Sequence, residues 1–160
     1  MSAEIANHTA IAETAQTILS RAAERGAAKA LRYAGEVTPE EAHTLLRLGQ
    51  AKEVDIRSRF EYEFIGRIPD ARLVEWRHWP SGEANPKFLE QLSNVFDKDD
   101  VLLMLCRSGV RSHGAAQAAA AAGYAQAYNI LEGFEGDLDA EHHRSKLGGW
   151  RMRGLPWLQS

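Results

Sequence analysis

The sequence predicts an α/β fold, a parallel sheet with helices on both faces, and three observations carry that expectation. From Thr38 onward, short runs of apolar and β-branched residues alternate with helical patterns, as in a chain of strand-helix-strand units. One run, Val101-Leu102-Leu103-Met104-Leu105, is continuously apolar, as a central parallel strand covered on both faces must be. The chain is also of single-domain size: 160 residues, 44% hydrophobic and 26% charged, suffice for one well-filled core and hardly for two.

The elements follow in order. Residues 10–31 are alanine-rich, with Ile11, Ala15, Ile18, Leu19 and Ala22 on one helical stripe, and they read as an amphipathic helix loosened near Gly26. The boundary with the α/β body is expected near Arg32 to Glu36, giving an N-terminal helical extension, 1–34, and a domain, 35–160. Thr38-Pro39-Glu40-Glu41 offers an N-cap, a proline at the first helical position and a glutamate at the third, so a helix is expected over 38–48, ended by Gly49. Glu53-Val54-Asp55-Ile56 reads as a short buried strand, Phe60 to Ile65 as a helical turn, residues 72–75 as a strand and residues 86–96 as a helix. After the apolar strand and a polar loop, residues 110–122 form a helix closed by Gly123, and residues 127–131 a further strand. The tail, 133–160, is rich in glycine and tryptophan, and Trp150 and Trp157 are the expected anchors of an ordered extension.

Charge and composition remove several functional classes. A formal net charge of -3 with interspersed signs lacks the footprint of a nucleic-acid binder. The longest apolar stretches fall far short of the roughly 20 residues that span a bilayer, so no membrane partner is expected. Residues 1–10 show no basic segment followed by an apolar core, and a cytoplasmic location is the simplest expectation. Adjacent His142 and His143 point different ways on a helix and lack supporting ligands, so no metal is expected there. Nor does the sequence call for a cofactor elsewhere.

Cys106 is the single cysteine, which rules out an intramolecular disulfide and a resolving thiol within the chain. Its setting is unlike that of an inert core cysteine. It stands at the carboxyl end of the apolar strand and is followed by Arg107-Ser108-Gly109-Val110-Arg111-Ser112 before a helix. In open α/β sheets ligands bind at that edge, and a loop curling into a helix N-terminus aims successive N–H groups at one point. Such a cradle favours a thiolate, the nucleophilic form of cysteine. Gly109 supplies the backbone freedom, Ser108 and Ser112 can offer hydroxyl groups to sulfur, and no acidic residue lies between Val101 and Leu131. Arg107 and Arg111 should therefore make the local potential positive, suited to a small dianion such as thiosulfate.

The loop Cys106-x-x-x-x-Arg111 resembles the active loop of the rhodanese homology family. So do Val54-Asp55-Ile56-Arg57 with Glu61, Gly66-Arg67-Ile68-Pro69-Asp70-Ala71, and Asn129-Ile130-Leu131-Glu132-Gly133, and together they cover residues 35–158. Arg67 departs from the family pattern, where a histidine is usual. The resemblance implies a five-stranded parallel sheet and a double-displacement sulfurtransferase, in which Cys106 takes sulfane sulfur from thiosulfate or a persulfide and passes it to cyanide or a thiol. It implies that backbone amides of Arg107, Ser108, Gly109, Val110, Arg111 and Ser112 cradle the persulfide, with Arg107 and Arg111 attracting the donor. Asp55, Arg57 and Glu61 take a structural role. A protein as sulfur donor or acceptor, with the Trp76 to Trp79 loop and the tail as docking surfaces, is compatible with the sequence, as is assembly through the N-terminal helix into a homodimer.

Two rivals share the loop. A non-catalytic module of the same fold would need neither the cysteine nor both arginines. Phosphatases and arsenate reductases of the cysteine type place five residues between Cys and Arg where this chain has four, and one residue of about 3.3–3.6 Å is a large part of an oxyanion pocket. The lone cysteine also cannot resolve through an internal disulfide.

Overall fold

The computed structural model describes residues 2–160. Five parallel strands form one sheet: β1 (Gly35–Val37), β2 (Lys52–Asp55), β3 (Arg72–Leu73), β4 (Leu102–Leu105) and β5 (Ala127–Ile130), in the order β1-β5-β4-β2-β3. Four α-helices accompany them: α1 (Ala3–Ala28), α2 (Pro39–Arg47), α3 (Phe88–Val95) and α4 (Val110–Ala121). β4 is central, paired with β2 on one side and β5 on the other. Successive side chains of a strand face opposite ways, and β4 shows the consequence. Leu102 and Met104 join Phe88, Leu92 and Ala115, Ala116 and Ala119 of α3 and α4, while Leu103 and Leu105 join Ala15, Ile18, Ala22, Ala42 and Leu45 of α1 and α2. Helices thus cover both faces, and all four β4 residues are fully buried.

Two elements differ from the sequence expectation. β1 was not expected as a strand; Gly35-Glu36-Val37 is too short to show a pattern, and it is defined by pairing with β5 over Tyr128, Asn129 and Ile130. β3 comprises Arg72 and Leu73 alone rather than 72–75, because the ladder slips by one residue beyond it: Val74 donates to the Asp55 carbonyl but Trp76 to that of Ile56, where a regular ladder would reach Arg57. Smaller shifts occur at helix ends. α1 begins at Ala3, not near residue 10, because Ser2 caps it and the alanine-rich first turns propagate without needing burial.

α1 and α2 are tied together through one carboxylate. Thr38 and Glu41 form a reciprocal capping box, and Glu41 also accepts from Arg25 at 2.7 Å and Arg21 at 3.1 Å. Burial alone would raise the Glu41 carboxyl, but the bonds from Arg25 and the Thr38 backbone hold it below its ordinary range. α1 lies against β1 so closely that a Cβ added at Gly35 would come within 2.1 Å of the Ala22 carbonyl oxygen. The tail returns under the sheet: Trp150 is fully buried, whereas Trp157 is 39% exposed and packs edge-on to Phe134. Among the described residues, no helix is long and apolar enough to cross a membrane.

Candidate active site

Cys106 follows β4 directly and is 1% exposed, so anything that reacts with it must come through a narrow opening. The chain then turns at Gly109, whose φ of 101° is the conformation that favours glycine, and enters α4 at Val110. This turn brings the Gly109 N–H to 3.1 Å from Cys106 Sγ, and the first turn of α4 brings the Ser112 hydroxyl to 3.2 Å. The free N–H groups and positive end of the α4 dipole begin beside the same sulfur.

The loop is held from behind by residues to which the sequence reading gave no role. Asn129, on β5, accepts from Ser112 Oγ at 2.6 Å and donates to the Gly109 carbonyl at 3.0 Å. Gly133 sits at φ 66° with its Cα against the backbone of Cys106 and Arg107; an added Cβ would lie 2.5 Å from the Arg107 carbonyl carbon. Phe134 and Glu135 then donate backbone N–H bonds to the Cys106 and Arg107 carbonyls. Both residues belong to the Asn129-to-Gly133 segment that carries the resemblance, but nothing in the sequence shows that Asn129 holds the loop.

Below the loop lies a buried ion pair. Arg57 donates to Asp55 through Nε at 3.0 Å and Nη2 at 2.7 Å, both side chains are inaccessible, and the guanidinium also bonds the Gly66 carbonyl and lies over Phe134. Asp55, at the end of β2, is paired in register with Leu105, one residue before the cysteine. Glu61, in a single π-helical turn (Glu61–Ile65), receives Arg111 bidentately at 2.8 Å on both oxygens and Ser58 through its N–H and hydroxyl. Burial would raise the Glu61 carboxyl, but the Arg111 bonds and charge bring it down to about 2.

That pair corrects one electrostatic expectation. Sequence distance had left Arg111 as a free cation, because the stretch from Val101 to Leu131 has no acid; the fold supplies Glu61 from 50 residues away and compensates it. Arg107 is exposed and, among the described residues, pairs with no carboxylate.

A cleft of about 410 Å³ lies beside the loop, lined by its Arg107 and Arg111 together with Glu61, Phe60, Trp79 and Arg144. The aromatic loop divides: Trp76 packs edge-on against Phe88 in the core, whereas Trp79 is 64% exposed and stacks on Phe60. His113 faces away from the sulfur toward Tyr33, whose hydroxyl lies 2.7 Å from Nδ1. Arg67, the departure in the upstream motif, pairs its backbone with Leu158 and bonds Ser160, so it fastens the tail. His142 and His143 are exposed, and no group of metal-ligating side chains occurs among the described residues.

Comparison with known proteins agrees with this geometry. A model of the rhodanese-like domain matches residues 38–140. An uncharacterized protein of Rickettsia conorii is 36% identical over 108 residues, covering 65% of this chain and 80% of that protein. Thiosulfate sulfurtransferase 18 of Arabidopsis thaliana is 33% identical over 102 residues, covering 61% and 74%. The crystal structure of Rv0390 from M. tuberculosis superposes with a TM-score of 0.72 at 42% identity, over 80% of this chain and 99% of that one. With a five-stranded parallel sheet, a cysteine loop at the end of its central strand and matches that span most of its length, the chain belongs to the rhodanese-like domain family.

Proposed function

We propose that this protein is a rhodanese-type sulfurtransferase that carries sulfane sulfur on Cys106, from thiosulfate or a persulfide donor to cyanide or a thiol. The observation that carries this reading is the convergence of the Gly109 amide and the Ser112 hydroxyl on a sulfur at the start of α4. The Gly109 amide, the helix dipole behind it and the Ser112 hydroxyl, once it turns from Asn129 Oδ1 toward the anion, favour negative charge on sulfur. In the first half-reaction the Cys106 thiolate attacks the outer sulfur of thiosulfate; a sulfur–sulfur bond forms, the bond to the sulfite sulfur breaks, and its electron pair leaves with sulfite. In the second, cyanide or a thiolate attacks the outer sulfur and the Cys106 thiolate is released. Neither displacement changes the net oxidation level, so the chemistry calls for no metal or redox cofactor.

Arg107, uncompensated at the cleft, attracts the anionic donor, while the amides of Ser108, Gly109, Val110, Arg111 and Ser112 surround the transferred sulfur. Asp55, Arg57 and Glu61 fix the floor of the loop, and Arg111 acts through Glu61 as much as on the donor. We place the protein in the cytoplasm, and assign residues 1–34 to a helical extension of the domain formed by 35–160.

A steady-state assay of thiocyanate formation from thiosulfate and cyanide tests the reading. Cys106→Ser should abolish turnover, and Arg107→Ala should raise KM for thiosulfate about tenfold with a smaller effect on kcat, as expected for a steering charge. Thiocyanate formation by Cys106→Ser at the wild-type rate would refute the assignment.

A further inference from the structure

A second cavity, of about 350 Å³, opens at the amino end of β2, at the edge of the sheet opposite the Cys106 loop. Its size lies within the range of small-molecule sites, about 300–1,000 Å³. Glu53 is its unusual member. Strand alternation and the register with Leu103 turn this side chain toward α2, the side from which Leu46 and Ala51 line the cavity. Glu53 is 4% exposed, yet neither of its carboxyl oxygens has a hydrogen-bond partner among the described residues. Burial and the Asp55 charge push its pKa well above the ordinary carboxylate range, with Arg57 opposing them. A buried carboxyl left without a partner destabilises the fold, and a ligand that donates to it removes that penalty. Two more charges stand on the same wall. Asp70 and Arg72 are exposed, and neither is ion-paired among the described residues, whereas Lys52 beside them is engaged by Asp100 at 3.0 Å. The rest of the lining is apolar, Pro69, Val95 and Phe96 completing it with Leu46 and Ala51.

We propose that this cavity binds a free α-amino acid with an apolar side chain, its ammonium on Glu53 and Asp70, its carboxylate on Arg72 and its side chain against Leu46, Pro69 and Phe96. Unpaired charges of both signs on one wall match a ligand that carries both signs. A simple cation would meet Arg72, and a simple anion would meet Asp70 and Glu53. Two carboxylates fall short of a metal-ligand set, and no group of three metal-ligating side chains occurs among the described residues. The Glu53 carboxyl lies at the inner end of the cavity, and rotation about its side-chain bonds brings it to an ammonium lodged there. As the ammonium arrives, Glu53 gives its proton to solvent and becomes the counter-charge, so that the ligand supplies both the donors and the opposite charge that a buried carboxylate requires. The cavity shares no lining residue with the cleft beside the Cys106 loop, and the assignment stands apart from the sulfurtransferase reading.

Titration calorimetry of the full-length protein with L-leucine and L-phenylalanine tests the site. Each is set beside the compounds that lack its carboxylate or its ammonium: 3-methylbutylamine and 4-methylpentanoate for leucine, phenethylamine and 3-phenylpropanoate for phenylalanine. At least one amino acid should bind about tenfold or more tightly than both of its fragments, and Glu53→Gln, Asp70→Asn and Arg72→Gln should each weaken that binding by about tenfold or more. The wild-type binding enthalpy should vary with the ionisation enthalpy of the buffer, because Glu53 releases a proton, and this variation should vanish in Glu53→Gln. Thermal unfolding shows whether each variant is folded. Should Glu53→Gln fail to fold, Asp70→Asn and Arg72→Gln decide, since both positions are exposed and asparagine tolerates the positive φ of Asp70, 66°. Failure of both amino acids to bind overturns the proposal, as does a fragment that binds as tightly as its parent or wild-type affinity in the variants. Competition by thiosulfate also overturns it, since the ligand would then occupy the cleft beside the Cys106 loop.

Discussion

At the scale of the residue, the site is a sulfur held between one amide and one hydroxyl, and the hydroxyl has a single proton to give. Ser112 lies 2.6 Å from Asn129 Oδ1 and 3.2 Å from Cys106 Sγ, so the shorter bond takes the proton while Cys106 is a thiol that can itself donate to Ser112. When sulfur becomes anionic, the hydroxyl must turn toward it. Ser112→Ala should therefore slow iodoacetamide alkylation of Cys106 at neutral pH several-fold; an unchanged alkylation rate would show that the hydroxyl does not support the thiolate. Glu61 and Arg111 form the other sensitive pair. Because the Glu61 carboxyl is lowered to about 2 from an ordinary value of 4.5, its contribution to stability is complete above about pH 4.5 and is lost as the pH falls toward 2. Glu61→Gln should cost roughly 1.5–3 kcal/mol in urea unfolding at pH 7. It should flatten the loss of stability below pH 4.5; an unchanged acid limb would contradict the pairing. The sequence identified Cys106, Gly109 and the two loop arginines because their chemistry is local and contiguous. It could not pair Arg111 with Glu61, or tie Asn129 to Ser112 and the Gly109 carbonyl, since both relations join segments that only the fold brings together.

At the scale of the element, the sheet positions the loop and also carries an unresolved tension. β2 presents Glu53, Val54 and Asp55 to the interior. Asp55 is satisfied by Arg57, but neither carboxyl oxygen of Glu53 has a partner, and burial, with the nearby Asp55 charge, pushes its pKa well above the ordinary carboxylate range. A raised carboxyl makes the folded state hold a proton that the unfolded chain releases, so stability falls as the pH rises above about 4.5. Glu53→Leu should stabilise the protein by about 1–3 kcal/mol, more at pH 8 than at pH 4. Thermal unfolding at the two pH values checks this, and equal shifts in Tm would mean that Glu53 is not the titrating group. The strands with a strong apolar signature, β4 above all, were legible in the sequence, as was α2 through its cap and proline. β1 and the shortened β3 were not, because strands of 3 and 2 residues are specified by their neighbours rather than by their own pattern.

At the scale of the whole molecule, α1 is two things in one helix. Its first half, up to Thr14, is almost wholly exposed, whereas Ala15, Ile18 and Ala22 enter the core beside Val37, Ala42 and Leu45. Removing residues 1–13 should leave Tm within a few degrees of wild type. Removing 1–34 should lower it by far more, with loss of the Arg25–Glu41 tie and the Tyr33–His113 contact. If both truncations melt alike, α1 is not part of the folding unit. The apolar stripe that reveals this dual character was visible in the sequence, but the close approach of α1 to Gly35 was not, since it depends on two backbones meeting without a side chain between them. Everything in the account converges on one atom, Cys106 Sγ. Intact-mass spectrometry of wild type and Cys106→Ser after incubation with thiosulfate addresses that atom most directly. A gain of one sulfur on wild type only, removed by cyanide as thiocyanate, is the expected result. An equal gain on Cys106→Ser, or no gain on wild type with either thiosulfate or a persulfide donor, would contradict it.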